Sequence, residues 1–417
     1  MEKIFVTGGR SLNGKIEISG MKNSALPIIF ACLLINEECI LENIPMVSDV
    51  ENALFILRQM GAYASFIDEH TVKINARNAS LIDLDLDIIS KMRASSYLMS
   101  TCLSRFGSVS MAYPGGCNFG VRPIEQHIKG FQALGATLIE NTDLISLKFG
   151  KRPKNTKIVL DKISVGATIN MIMASAISDG ITIIENIAKE PHVLDLIAFL
   201  NICGADISLY ENQIKVVGVK GLKGIRYRIY SDMIEALTFA CCVGVTGGEI
   251  ALQNVEGEHL EGVLSVFDKM GISHRYKNGA LYIKKNASIR GADIVTAPYP
   301  AFPTDLHPQF SALLCYCDGG GSVIEGIFPN RFAYAVELEK LGARLNRVDN
   351  KIIIEKSLLH GATLDATDLR AGAALVVAAL GATGKSTINN VNYIVRGYER
   401  LVSKLASVGA DIFCDVK

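Results

Sequence analysis

The 417-residue chain has no excess charge of either sign: 42 basic residues stand against 42 acidic ones, a formal net of +0. Without a net field or an arginine-rich run, it does not read as a general polyanion binder or a nucleic-acid protein, although a local basic site stays open. Long apolar stretches are missing too. Runs such as Ile28–Ile35 and Ala371–Leu380 fall short of the roughly 20 residues that a bilayer span needs. The opening MEKIFVTGGR reads as strand and turn, without the apolar core of a signal peptide. No CxxC occurs, Cys315 and Cys317 are separated by one residue, and no histidine completes a zinc spacing, so no metal is expected. The seven histidines include no HExxH pair. GATGKST at Gly381–Thr387 imitates a phosphate loop, but position 379 is alanine where the pattern needs glycine, so a turn between helix and strand is expected.

What is present is apolar material for large cores. Hydrophobic residues make up 49% of the chain and charged ones 20%. At about 150 residues per domain, the length allows two or three domains. The ten cysteines lie mostly inside apolar runs, as with Cys32, Cys102, Cys203, Cys241 and Cys242. In a chain this large that pattern fits a reduced, cytoplasmic setting better than a disulfide framework.

The chain repeats. Six amphipathic segments end in a common phrase: QMGAYASF, ALGATLIE, ICGADISL, KMGISHRY, KLGARLNR and SVGADIFC. Their glycines, Gly61, Gly135, Gly204, Gly271, Gly342 and Gly409, recur every 67 to 74 residues. Each reads as a helix closed by a glycine just past its end, followed by a strand. A second phrase precedes those helices: LENI, IENI, LQNV, IEGI and INNV. In the second unit PGGCNFGVRP takes its place. Units of this length are too long for a solenoid and too short for a good core alone, so two domains of three units each are expected.

Equivalent positions open the first helix of each unit. In the first three units they are basic, Lys22, Arg93 and Lys162; in the last three they are acidic, Asp232, Asp305 and Asp368. Aspartate there has a plain explanation as a cap on exposed N–H groups. A cation at the positive end of a helix is unfavourable unless an anion joins it, so the three basic residues point to anion binding.

Cys117 sits among three glycines, which let backbone bend and approach a partner closely. Pro123 reads as the first residue of a helix with the apolar stripe Ile124, Ile128, Phe131 and Leu134. A thiol ahead of a helix start and near Arg122 is in surroundings that lower its pKa and make it reactive. His127, in that helix, could face the same site; a satisfied core or surface role is the plainer reading.

These stretches occur together and in one order: GKIEISGMKNSALP, KMRASSYL, PGGCNFGVRP, DKISVGAT, APYPAFPTDLHPQF, TDLRAGAALV and RGYER. Across nearly the whole chain they resemble the UDP-N-acetylglucosamine 1-carboxyvinyltransferase family of enolpyruvyl transferases. The resemblance implies an α/β fold of two inside-out domains with six βαβαββ repeats, three per domain. It places the first domain at residues 22–229, carrying the Cys117 loop, and the second at 230–417 with 1–21, with the active site in the cleft between them. It implies transfer of enolpyruvyl from phosphoenolpyruvate to the 3-hydroxyl of UDP-N-acetylglucosamine, the first committed step of peptidoglycan synthesis. Cys117 would donate the proton and react with the epoxide antibiotic fosfomycin, while Asp305 would act as base or hydroxyl orienter. Lys22, Arg122 and Arg396 would supply fixed cations, with Arg370 as helper. Asn23, Arg93, the run Arg122, Pro123, Ile124, Glu125 and Gln126, then Lys162, Ser164, Val165, Gly166 and Ile327 would contact the substrates. Neither metal nor organic cofactor is implied. The expected partners are the two small-molecule substrates, not nucleic acid or membrane, with the chain acting as a monomer.

Overall fold

Four of the recurring phrases carry an asparagine in third place, and those asparagines adopt a left-handed backbone: φ is 62° at Asn43, 58° at Asn186, 60° at Asn254 and 58° at Asn390. Asparagine tolerates this region because its short amide can bond to nearby backbone. Each amide does so, donating to the carbonyl of Ile229, Leu160, Ile18 and Ala366 respectively. Every acceptor is the residue immediately after a short edge strand, so the phrase ties a central strand to its parallel neighbour. In IEGI, Gly326 replaces asparagine, and its own N–H donates to Thr296 Oγ1 at 2.9 Å.

The computed structural model describes residues 2–81, 88–89, 92–115, 124–139 and 144–415. Its strands form six small sheets, five of four strands and one of three among the described residues. In the five, a central strand pairs parallel with an edge strand; on its other side it pairs antiparallel with a hairpin in four sheets and with Lys3–Thr7 in the fifth. Ile181–Glu185, for example, runs antiparallel to Gln213–Val217 and parallel to Asn155–Val159. Along it, Thr182 and Ile184 turn inward and their neighbours outward, the period-two pattern of a sheet covered on one face.

The described residues fall into two compact units. One joins the segment up to Ser19 with Ser231 onward, and the other runs from Gly20 to Tyr230. The inner helices of the second are α1 (Lys22–Ala31), α2 (Tyr97–Phe106) and α3 (Val165–Ala176), with α2 packed on both others. In the first, α4 (Met233–Thr246), α5 (His307–Leu314) and α6 (Leu369–Gly381) pack on one another. These helices are apolar all round, as MIEALTFACCVGVT and LRAGAALVVAALG show, and that is the pattern of helices enclosed on every side. The sheets lie outside them. The outer helices are the amphipathic ones, and each closes on its expected glycine, with φ from 75° to 102° at the six positions. Gly384, at 88°, turns the chain from α6 into the strand Lys385–Asn389, so GATGKST is a helix-to-strand turn.

Two edge strands come from residues far away in sequence but within the same unit. Leu12–Glu17 pairs with Gly248–Gln253, after α4, while Arg226–Arg228 pairs with Glu38–Glu42, after α1. Lys3–Thr7 is an interior strand, held between Lys385–Asn389 and Asp411–Asp415. Among the described residues no helix is long and apolar enough to cross a membrane. Of the nine described cysteines, all free, eight are buried, and burial pushes the Cys102 and Cys315 thiols up to about 12.

Candidate active site

Lys22 is the first residue of α1, preceded by Met21, which supplies no side-chain cap. Its ammonium lies 3.0 Å from Asp49 Oδ2, in the first turn of the helix Ser48–Gln59. The cation at a helix start therefore already has a carboxylate beside it, supplied by the protein. Asn23 follows, half-buried. Arg93 opens a short 3-10 turn, Arg93–Ser96, that leads into α2, and its Nη1 reaches the Pro114 carbonyl at 3.4 Å.

Lys162 is exposed and stands ahead of the third helix start rather than on it. The cap is Ser164, whose Oγ accepts from Ala167 N–H at 3.3 Å, and Val165 and Gly166 form the first turn. This leaves the early N–H groups of α3 pointing away from the helix body, an arrangement suited to an anion. The neighbouring helix, Glu125–Ala133, is tied to the same loop: Gln126 and Asp161 exchange hydrogen bonds of 2.9 and 2.8 Å. So the structure brings Gln126 and the Lys162–Gly166 segment together. Ile124 is buried at the helix start and Glu125 is exposed. The helix begins at Glu125, two residues beyond Pro123. Cys117, Arg122 and Pro123 lie outside the described residues.

His127 takes the plainer of its two readings. It is buried, its Nδ1 shares a 2.8 Å hydrogen bond with the Asn170 amide, and burial together with the Arg93 charge depresses its pKa to about 3. A neutral ring in that position shapes the core beside Gly166, where an added Cβ would come within 3.0 Å of the imidazole.

The other unit holds a carboxylate flanked by two guanidiniums. Asp232 and Asp368 are helix caps: each carboxylate accepts from two N–H groups, of Ile234 and Glu235 in α4, and of Arg370 and Ala371 in α6. Asp305 does not cap. Helix α5 starts two residues later, at His307, and the Asp305 carboxylate faces two guanidiniums instead. Arg331 Nη1 donates to Oδ1 at 2.7 Å, while Arg370 Nε and Nη2 approach Oδ2 at 3.3 and 3.2 Å. Burial would push the carboxyl up, but Arg331 and then Arg370 overcome it and hold the group well below the usual carboxylate range. Its side chain is 29% exposed, enough for an incoming hydroxyl to reach it.

Arg331 carries no repeat signature and was not among the expected site residues. It is buried and also donates to Thr304 Oγ1 at 3.1 Å. Thr304 in turn donates to Glu325 at 2.9 Å. The other oxygen of Glu325 accepts from the N–H groups of Ile327 and Phe328, at 2.7 and 2.9 Å. A fully buried carboxylate therefore fixes both the loop bearing Ile327 and the segment bearing Asp305. Arg370 also stacks over the Tyr398 ring, 5.2 Å from its centre. Arg396 is half-buried just after the turn Asn392–Val395.

Comparison with known proteins agrees with this architecture. The family model for EPSP synthase (3-phosphoshikimate 1-carboxyvinyltransferase) matches residues 6–405. A UDP-N-acetylglucosamine 1-carboxyvinyltransferase of Halothermothrix orenii is 40% identical over 413 residues, 99% of each chain. One of Streptococcus agalactiae is 37% identical over 415 residues, again 99% of each. Among solved structures, the enolpyruvyl transferase NikO from Streptomyces tendae superposes with a TM-score of 0.91 at 23% identity, covering 100% of this chain and 99% of its own. An EPSP synthase from Acinetobacter baumannii gives 0.79 at 18% identity, covering 100% of both. These two likenesses concern the fold.

Proposed function

The chain belongs to the EPSP synthase family of carboxyvinyltransferases, and from that premise we propose that it transfers the enolpyruvyl group of phosphoenolpyruvate to the 3-hydroxyl of UDP-N-acetylglucosamine. The observation that carries this reading is the full-length identity of 40% to a relative named for that acceptor.

The reaction needs a proton on the vinyl CH2 while the acceptor oxygen attacks the adjacent carbon. Loss of phosphate and of a methyl proton then restores the double bond. Cys117 is the proton donor in this reading. Asp305 suits the acceptor hydroxyl, with one qualification: a carboxylate held so far into its ionised form is a weak base in the ground state. It therefore orients the hydroxyl by accepting its hydrogen bond, and takes the proton as the new C–O bond makes that hydroxyl more acidic. Lys22, Arg122 and Arg396 neutralise the phosphate and carboxylate of phosphoenolpyruvate, where fixed charges need no reorganisation. Asn23 and Arg93 hold the substrates, and Arg370 assists while remaining tethered to Asp305.

The nucleotide-sugar is assigned to Ile124, Glu125 and Gln126 at one helix start, together with Arg122 and Pro123. Lys162, Ser164, Val165 and Gly166 serve it on the next, where backbone N–H groups face its diphosphate. The backbone at Ile327, pinned by Glu325, completes the set on the sugar side. Buried, unpaired thiols fit a reducing cytoplasm.

Phosphate release from phosphoenolpyruvate tests the reading. Release that requires UDP-N-acetylglucosamine supports it. Release with shikimate-3-phosphate alone transfers the chain to the shikimate-type acceptor, and release with neither overturns the enzymatic reading.

A further inference from the structure

Building on the proposed acceptor chemistry, we infer that Arg331 is a positioning residue for the reaction, anchoring one oxygen of Asp305 so that the other is presented to the acceptor hydroxyl. The two arginines around Asp305 are not equivalent. Arg331 makes one short bond to Oδ1, at 2.7 Å, whereas Arg370 spans Oδ2 with two longer ones, at 3.2 and 3.3 Å. Oδ2 is therefore the oxygen that can exchange part of its contact for a hydroxyl donor. Oδ1 is the fixed point about which the carboxylate is aligned.

Arg331 is well placed to be that fixed point. Its side chain is 4% exposed, and the same Nη1 reaches Thr304 Oγ1, the residue directly before Asp305. Thr304 is itself held by Glu325, which also pins the Ile327 and Phe328 N–H groups. These groups thus share one network, and Arg331 links it to the Asp305 carboxylate from the Ile327 side. Among the described residues, the charged or titratable groups facing Asp305 are Arg331, Arg370 and the buried His307; Glu325 stands behind Thr304. His307 is kept neutral by burial and by the Arg331 charge, with its pKa lowered to about 3, so it adds no proton across the working range.

The test uses the full chain, with phosphate release measured against pH for wild type, Arg331→Gln and Arg331→Lys. Glutamine keeps a donor but removes the charge. For Arg331→Gln, kcat should fall roughly tenfold to hundredfold, the lower part of the range seen for proton-transfer groups, with KM for phosphoenolpyruvate unchanged. The acid limb of its pH profile should move to higher pH, because Asp305 loses its nearest cation. Lysine should return the limb toward its wild-type position yet recover only part of kcat, since a single ammonium does not reproduce the guanidinium fork. A wild-type limb and wild-type kcat in Arg331→Gln overturn the inference. So does a kcat loss that merely tracks the folded fraction measured by thermal melting. Should the glutamine variant not fold, Arg331→Lys decides alone, and full wild-type kcat in it overturns the inference. If wild type works only on a different acceptor, the acceptor assignment fails, and the same comparison is then run on that acceptor.

Discussion

Asp232 and Asp368 stand before α4 and α6 as Asp305 stands before α5, yet only the first two are caps. The repeat carries the same residue type to three equivalent places, and the local backbone then divides the work. Where the helix starts directly after the aspartate, its oxygen is taken by two N–H groups. Where the helix starts two residues later, the carboxylate is released from that task and meets Arg331 and Arg370. A delay of one residue in helix initiation separates a helix cap from a carboxylate held by two guanidiniums.

Breaking that contrast at its sharpest point should give the largest effect. Asp305→Asn keeps the shape and removes the charge, and kcat for phosphate release should fall by about 10²–10⁴. An asparagine that works as well as aspartate would mean the carboxylate has no role in proton transfer or orientation.

Glu235, one turn into α4, supplies the next test. It is buried between the Ser19 N–H and the Lys404 ammonium, each 2.7 Å away, and burial, only partly offset by Lys404, raises its pKa to about 7. A carboxyl raised above its unfolded value contributes stability that is fully present below about 4.5 and lost as pH rises through about 7. Unfolding free energies from denaturant titration should therefore decline over that window by up to about 3 kcal/mol, and Glu235→Gln should flatten the decline. An unchanged slope in the variant would count against it.

The caps come next. Asp232→Ala or Asp368→Ala should each cost about 1 kcal/mol in chemical denaturation. Activity per folded molecule should hold for Asp232→Ala, in contrast to Asp305→Asn. Smallest is the turn asparagine: Asn186→Gly keeps access to positive φ and should lose only its hydrogen bond, about 0.5–1.5 kcal/mol. Asn186→Ala should lose about 1 kcal/mol more. Equal losses would show that backbone conformation is not what selects asparagine there.

The features readable from sequence were those where physics narrows the choice of residue. A positive φ admits glycine and asparagine and little else, so the six glycines and the LENI-type phrases announced the repeat and with it the fold class. The apolar runs Ile28–Ile35 and Ala371–Leu380 were read only as too short for a bilayer; the structure places them in enclosed inner helices. Charge at a helix start was less decisive. Lys22 was read as a sign of bound anion, and the structure supplies Asp49 as a partner 3.0 Å away; Lys162 proved to precede its helix rather than open it. Arg331 was invisible because nothing local marks it. It lies on a loop outside the repeated phrases, and its meaning comes from a contact made 26 residues away, at Asp305. Glu325 is similar: it stands in IEGI, and only tertiary structure shows its two oxygens joining separate segments.

The pairing of Lys3–Thr7 with two strands near residue 400 also sets an order of events during synthesis. The unit from Gly20 to Tyr230 has its own strands within reach once that stretch has left the ribosome. The strand Lys3–Thr7, made first, must wait for Lys385–Asn389 and Asp411–Asp415, which are made last. For most of translation the beginning of the chain is thus an unpaired strand tethered to an already folding neighbour, and closing it requires the longest-range contacts in the molecule. Refolding should accordingly show the Gly20–Tyr230 unit protected from hydrogen exchange before residues 3–17.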